Sequence, residues 1–391
     1  MSLDFDSARL RNPDLTSEHE EWRRSLRKFL DKEVAPYMDD WDEAGKIPDF
    51  MWKKAADFGL LQLGYPEQYG GISEGIDQHH HSIVGEELGR IGSGGGIAST
   101  LLVHGIGLPP VVNFASDEIK QEVIPAVLSG EKRISLGITE PSGGSDVANI
   151  KTTARREGDY YVVNGSKTFI SGGLGADWIS TAVRTGAAGA AGVSMLLIPT
   201  NLEGVARTAL DKKQGWWCSD TATIYFDDVR VPAANLIGRA GMGFAVIMNN
   251  FNNERLGMVV NMEACARCCL SEAIAWAQQR ETFGKPLSKH QVIRHKIVSM
   301  KQRINATQAY TQHITREIMA GRSNYADLAL LKVQASETME FCAREASQIL
   351  GGASYLRGSK VERIYREVRV NAIGGGSEEI MRDLAASQYQ L

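Results

Sequence analysis

Four short segments of this 391-residue chain combine glycine with hydroxyl, amide, acidic or basic side chains in patterns suited to holding a ligand. The densest is Gly137-Ile138-Thr139-Glu140-Pro141-Ser142-Gly143-Gly144-Ser145-Asp146, where a strand-like run enters a glycine-rich turn. Such a turn presents backbone N–H groups and short hydroxyls without side-chain bulk, which suits a flat polar ring or a phosphate; a purely structural turn uses the same residues. The second segment is Arg280-Glu281-Thr282-Phe283-Gly284-Lys285-Pro286-Leu287, with His290-Gln291 close behind, at the break between two helical stretches. Arg and Thr beside a glycine turn can bind a pyrophosphate, and a helix hairpin with a cation at its C-terminus explains Arg280 equally well. Gln348-Ile349-Leu350-Gly351-Gly352 reads as a helix ending on glycines. In Ile373-Gly374-Gly375-Gly376-Ser377-Glu378-Glu379-Ile380, three glycines precede a Ser/Glu helix start, so a ligand could lie against bare backbone with N-terminal donors facing an anion.

Metal chemistry is not expected. Cys265, Cys268 and Cys269 sit in an apolar helical run with no second Cys or His pair at ligand spacing, and are expected to be buried core thiols. His79, His80 and His81 have no carboxylate or Cys spaced to complete a shell, and are expected to open a solvated helix. With Cys218 and Cys342 the cysteines number five, an odd and scattered set that argues against a disulfide framework and for a reducing compartment.

The elements that must position these segments fall into three zones, predicting an α+β plan. From Thr16 to about Leu128, apolar residues such as Trp22, Leu26, Phe29 and Leu30 recur at helical steps, broken by Pro36, Pro48 and Gly70-Gly71. Near Arg133 the texture changes to short β-branched or aromatic runs: 134–138, 160–163, 178–183, 194–198 and 223–226. Strands without intervening helices suggest an antiparallel sandwich or barrel. After Gly241 the helical period returns, with long stretches to about Arg280, from Ile293 to Ala320 and from Asp327 to Leu350. The expected domains are an N-terminal helical domain (1–132), a middle antiparallel β domain (133–240) and a C-terminal four-helix bundle domain (241–391).

Composition excludes several function classes. With 43 Lys+Arg against 47 Asp+Glu the net charge is −4, and the cations are interspersed with acids, unlike a nucleic-acid binder. No window reaches the roughly 18 apolar residues of a membrane span, and Met1–Asp6 lacks the features of a secretory signal, so a cytoplasmic location is expected.

Taken jointly, the motifs resemble the acyl-CoA dehydrogenase family from about Thr16 to Ala386. The resemblance rests on Thr139-Glu140-Pro141 with Gly144-Ser145-Asp146, on Asn164-Gly165-Ser166-Lys167 with Phe169-Ile170-Ser171, on Phe226 to Pro232, on Arg280 to Gly284 and on Gln348 to Gly352. It implies an FAD enzyme whose C-terminal domain commonly builds a homotetramer, or a homodimer. By matching position, the isoalloxazine would lie against Leu136, Ile138, Thr139, Gly144 and Ser145 on one strand-turn and Phe169 and Ser171 on the next. Relatives usually carry Trp at the place of Phe169, so the ring contact is kept and an indole N–H is lost. Arg280, Thr282, Phe283, His290 and Gln291 would hold the diphosphate and adenosine end, with Gln348, Gly351 and Gly352 from a neighbouring subunit and Ser377 and Glu379 completing the site.

The resemblance also implies α,β-desaturation of an acyl-CoA thioester, with electrons passing to electron-transferring flavoprotein. Many members carry the catalytic Glu in the C-terminal loop, where this chain has Gly375. The isovaleryl-type and long-chain-type members carry it on the first long helix of the C-terminal domain, just before an Arg, where this chain has Glu254-Arg255. Glu254 is therefore the expected base. On a helix it shares its face with Asn250, Phe251, Gly257 and Met258, a mostly apolar and small surface. Ser145, Arg255, Gly375 and Gly376 would contact the substrate, while Asn252 stands where relatives often have Asp near the CoA end. A glycine at 375 removes bulk beside the reacting carbons, which favours long or branched acyl chains. An acyl-CoA oxidase, a flavin monooxygenase, or a protein that binds FAD or acyl-CoA without turnover are the alternatives on the same scaffold.

Overall fold

The computed structural model describes residues 3–322 and 324–391, without the side chains of Asn252 and Asn253. The N-terminal zone is helical: α1 (Ser17–Glu33), α2 (Met38–Ala44), α3 (Phe50–Phe58), α4 (Gln78–Arg90), α5 (Ala98–Leu101), α6 (His104–Gly107), α7 (Pro109–Phe114) and α8 (Asp117–Leu128). Strands follow as β1 (Ile134–Gly137), β2 (Thr153–Glu157), β3 (Tyr160–Ser171), β4 (Trp178–Arg184), β5 (Val193–Pro199), β6 (Val205–Ala209), β7 (Thr221–Pro232) and β8 (Leu236–Ile237). The last zone holds α9 (Gly243–Gln279), a small hairpin of β9 (Glu281–Thr282) and β10 (Lys285–Pro286), α10 (Gln291–Met319), α11 (Tyr325–Leu350), α12 (Lys360–Ile373) and α13 (Glu378–Gln388). The five strand runs read from the sequence are all present; β2, β6 and β8 are additional. β2 and β6 expose most of their side chains and β8 is two residues long, so none carries a strong apolar pattern.

The sheet runs β6-β7-β3-β2-β4-β5-β8 with β1 beside β4. Most neighbours are antiparallel as expected, but β1 runs parallel to β4 over four residue pairs, and β2 meets β4 in parallel at Thr153 and Arg184. The reason is the chain path, because β1 enters from the helical zone with β2 and β3 intervening before β4. Long α9 joins the layers. Its first turns bury Val246 and Ile247 against Ile134, Ile138 and Met195 of the sheet, and its remainder forms the bundle core with Cys265, Cys268, Cys269 and Cys342. All five cysteines are free and buried, as core thiols should be. Gly243 starts α9 so close to β5 that a Cβ would lie 2.4 Å from the Ser194 carbonyl carbon, which only glycine permits.

The histidine expectation is corrected. His81 is exposed, but His79 and His80 are buried, and a carboxylate does join them: Asp77 caps α4 while His19 arrives from α1. Among the described residues this is the one group of His, Asp, Glu and Cys with ligand-capable atoms converging, within 4.8 Å. Hydrogen bonding accounts for it without an ion. The Thr16 N–H donates to His19 Nδ1, at 3.0 Å, so the ring proton sits on Nε2, which donates to Asp77 Oδ1, also at 3.0 Å. The same oxygen accepts from the N–H of His79, at 2.9 Å. Two capping boxes, one opening α1 and one opening α4, thus share one carboxylate. Burial works against its charge, yet the bonds from His80 and His19 hold the Asp77 carboxyl down at about 2.

Asp77→Ala is expected to lose roughly 1–2 kcal/mol in urea unfolding, because both helix starts lose an acceptor. A depressed carboxyl stabilises above its ordinary range near 4 and ceases to as pH falls through about 2, so the gap between parent and variant should close on acidification. An unchanged midpoint at neutral pH would show that neither cap relies on this residue.

Candidate functional site

The Gly137–Asp146 turn is built around a buried ion pair. The Glu140 N–H donates to the Gly143 carbonyl and the Gly143 N–H returns a bond to Glu140, at 3.1 and 3.0 Å, closing the turn. The Glu140 carboxylate points inward, where it accepts from the N–H groups of Lys151 and Thr152 and from Lys167 Nζ at 2.8 Å. Lys167 Nζ also donates to the Ile138 carbonyl, at 3.0 Å. Burial pulls the Lys167 ammonium down to about 8 against the charge of Glu140, and burial likewise opposes Glu140, which Lys167 nevertheless keeps ionised. With its backbone and one carboxylate held from inside, the turn leaves Ser142, Gly143, Gly144 and Ser145 exposed, while Leu136 and Thr139 are half-buried and Ile138 is buried.

The next strand presents an aromatic ring beside that turn. The Thr168 N–H donates to the Thr139 carbonyl at 2.8 Å, and the β3–β7 register slips between Lys167 and Ile170. The bulge puts Phe169 at φ 57° and turns its ring outward, 69% exposed, with Ser171 half-buried two residues on. An apolar ring held in solvent beside a bare glycine turn can take a flat partner.

Glu254 lies three turns into α9, half-buried. Burial drives its carboxyl up to about 7, while the charges of Arg255 and Lys332 oppose the rise. On its face, Asn250 is buried and donates to the Ile106 carbonyl at 2.9 Å, Phe251 and Met258 are half-buried, and a Cβ built on Gly257 would meet nothing within 4 Å. The expected apolar, small surface is what the fold provides, with open space over Gly257. The side chain of Asn252 lies outside the described residues. Arg255 is buried, its guanidinium 5.6 Å from the Phe251 ring centroid, and its Nε donates to the Gly375 carbonyl at 3.2 Å. Lys332 of α11 donates to the Gly376 carbonyl at 2.8 Å. Gly375 and Gly376 have φ 67° and 104°, and a Cβ on Gly375 would come within 2.6 Å of the Met258 sulfur. Ser377 caps α13 by accepting from the Ile380 N–H, and Glu379 stands exposed in the first turn.

The remaining expected residues gather at the other end of the bundle. Arg280 is exposed and roughly 40 Å further along α9 than Glu254. Thr282 Oγ1 lies 3.2 Å from His290 Nε2, and Phe283, at φ 51°, is 96% exposed with its centroid 6.3 Å from that of His290. Gln291 opens α10, and Lys296 one turn later pairs with Glu345, just before the exposed Gln348, Gly351 and Gly352 that end α11. A Cβ on either glycine would meet nothing within 4 Å. The expected residues therefore fall into two groups well separated along α9. Lys332 was not singled out by sequence reading, although a lysine amid Leu328, Ala329, Leu331 and Ala335 on a helix is a legible signal of a buried cation.

Lys167→Met should cost about 3–5 kcal/mol in denaturant unfolding by leaving the Glu140 carboxylate buried without its cation. The double change Lys167→Met with Glu140→Met should recover much of that. A single variant as stable as the parent would mean that the pair does not hold the turn.

Three family descriptions match the chain in order: Acyl-CoA dehydrogenase, N-terminal domain over residues 16–131, middle domain over 135–229 and C-terminal domain over 241–390. Among curated proteins it is 36% identical to Acyl-CoA dehydrogenase AFT10-1 of Alternaria alternata, covering 95% of this chain and 91% of that one. It is 32% identical to the mitochondrial long-chain specific acyl-CoA dehydrogenase of Sus scrofa, covering 95% and 86%. Among solved structures, a probable acyl CoA dehydrogenase from Mycobacterium abscessus superposes with a TM-score of 0.93 at 42% identity, covering 96% and 99%.

Proposed function

Because the chain belongs to the acyl-CoA dehydrogenase family of FAD-dependent oxidoreductases, we propose that Glu254 removes the α-proton of a long or branched acyl-CoA in the family's desaturation. The observation that carries this reading is a carboxyl raised to about 7 by burial, on an apolar face with open space over Gly257. An α-hydrogen is far less acidic than a carboxylic acid, so the base gains strength from desolvation, and the developing enolate oxygen needs hydrogen-bond donors. Gly375 and Gly376 offer bare N–H groups for that purpose, and Arg255 fixes the turn through the Gly375 carbonyl.

Bound FAD supplies the hydride acceptor. The residues fit such a group: the outward ring of Phe169 stands beside the open Gly143-Gly144 turn, so Leu136, Ile138, Thr139, Gly144, Ser145, Phe169 and Ser171 would hold its flat end. Ser377 and Glu379 would take part from α13. Arg280, Thr282, Phe283, His290, Gln291, Gln348, Gly351 and Gly352 would hold the diphosphate and adenosine end of a second copy's cofactor, a reading supported by the roughly 40 Å of α9 between Glu254 and Arg280. This supports a homo-oligomer, tetramer or dimer. Electron-transferring flavoprotein is the proposed electron acceptor. Among the described residues no helix is long and apolar enough to cross a membrane.

Support for long or branched chains comes from the missing side chain at Gly375, the space over Gly257 and the long-chain specific relative. Anaerobic bleaching of the flavin should be faster with palmitoyl-, lauroyl- or isovaleryl-CoA than with butyryl- or octanoyl-CoA; the reverse order would overturn the preference.

Glu254→Gln should retain FAD yet slow that bleaching by about 10²–10⁴-fold, because an amide accepts no proton. In the parent, the rate should rise as pH passes upward through about 7, where the carboxyl becomes a base. A variant as fast as the parent would refute the assignment. Hydrogen peroxide released in step with substrate under air would indicate an oxidase, and a flavin left unbleached by every thioester a binding protein.

A further inference from the structure

The turn that faces Glu254 is held by two cations from two helices. Arg255 Nε binds the Gly375 carbonyl at 3.2 Å and Lys332 Nζ binds the Gly376 carbonyl at 2.8 Å. Both glycines have positive φ, which lets successive carbonyls turn inward. In a trans peptide the N–H points opposite to its carbonyl, so the Gly376 N–H, which shares a plane with the Gly375 carbonyl, is directed away from Arg255. Ser336, one turn beyond Lys332, donates to Glu378 Oε1 at 2.6 Å, so α11 grips both the glycine turn and the start of α13. Lys332 is wholly buried, an expensive place for an ammonium that donates to a neutral carbonyl.

We propose that Lys332 is a positioning residue for the reaction: from α11 it holds the Gly376 carbonyl, as Arg255 holds that of Gly375, and its charge keeps Glu254 able to ionise in a dry groove. This rests on the reading of Glu254 as the base. The charged groups facing Glu254 are Arg255 on its own helix and Lys332 from α11; those facing Lys332 are Glu254, Arg255, Glu378 and Glu379. Burial brings the Lys332 ammonium down to about 8 against the acids around it, so it is charged where Glu254 changes state. Removing a cation near a carboxylate favours the protonated acid, and the base form then requires higher pH.

The experiment is the pH dependence of anaerobic flavin reduction in holoenzyme carrying Lys332→Met, Lys332→Gln or Lys332→Arg. Met removes the charge and the donor, Gln keeps a donor without charge, and Arg keeps both. The acidic limb should move up by about one unit or more in the Met and Gln variants and stay in place with Arg, a shift that at neutral pH slows reduction about fivefold or more. A role confined to bracing the turn would slow the Met variant without moving its limb. Unfolding midpoints and flavin content accompany each profile, and the Gln and Arg comparison stands if the Met variant does not fold. Should Glu254→Gln abolish reduction while the neutral variants keep the parent's limb, the role of Lys332 falls alone. Should Glu254→Gln reduce at full speed, the base assignment falls, and this inference with it.

Discussion

A carboxyl group that is to take a proton from carbon must be dry enough to be a strong base and still able to lose its own proton near neutral pH. These demands oppose each other, and both act on Glu254, the proposed base. Its face of α9 is mostly apolar and its burial raises the carboxyl, while the charges of Arg255 and Lys332 limit the rise to about 7. Neither cation is free to drift, because each spends a hydrogen bond on a glycine carbonyl. The electrostatics of the Glu254 carboxyl and the shape of the glycine turn are therefore one arrangement.

The rest of the chain can be understood as support for that arrangement. α9 begins where only a glycine fits against β5, so its first three turns have a defined direction across the sheet. The sheet offers a turn whose carboxylate is buried against Lys167, leaving its outer side to backbone and hydroxyls. The bulge in β3 adds Phe169 beside it. Each device places polar cost inside and leaves plain surface outside, as a site for a large flat cofactor requires.

Much of this was legible in the sequence. The strand runs and the long helices announce themselves by apolar period, and the ends of α9 to α11 fall within a few residues of their expected places. Glu254 is picked out by the family resemblance of Glu254-Arg255, and the face it shares with Gly257 and Phe251 is legible from helical steps. What could not be read was any pairing that joins distant segments. β2 and β6 expose most of their side chains, so no apolar alternation marks them. Asp77 and His19 are far apart in sequence, so the shared cap emerges only once α1 lies against α4, and the sequence alone shows no partner for the three histidines. Lys332 shows the same limit from the other side: its burial is written in its neighbours, but the carbonyl it serves is not.

The contact between Met258 and Gly375 bears on how such enzymes diverge. A side chain introduced at 375 would meet a sulfur 2.6 Å from its first carbon, on a backbone that disfavours side chains at φ 67°. A substitution at 375 thus has to displace the Met258 side chain and strain the turn, so change at this position is coupled to change at 258.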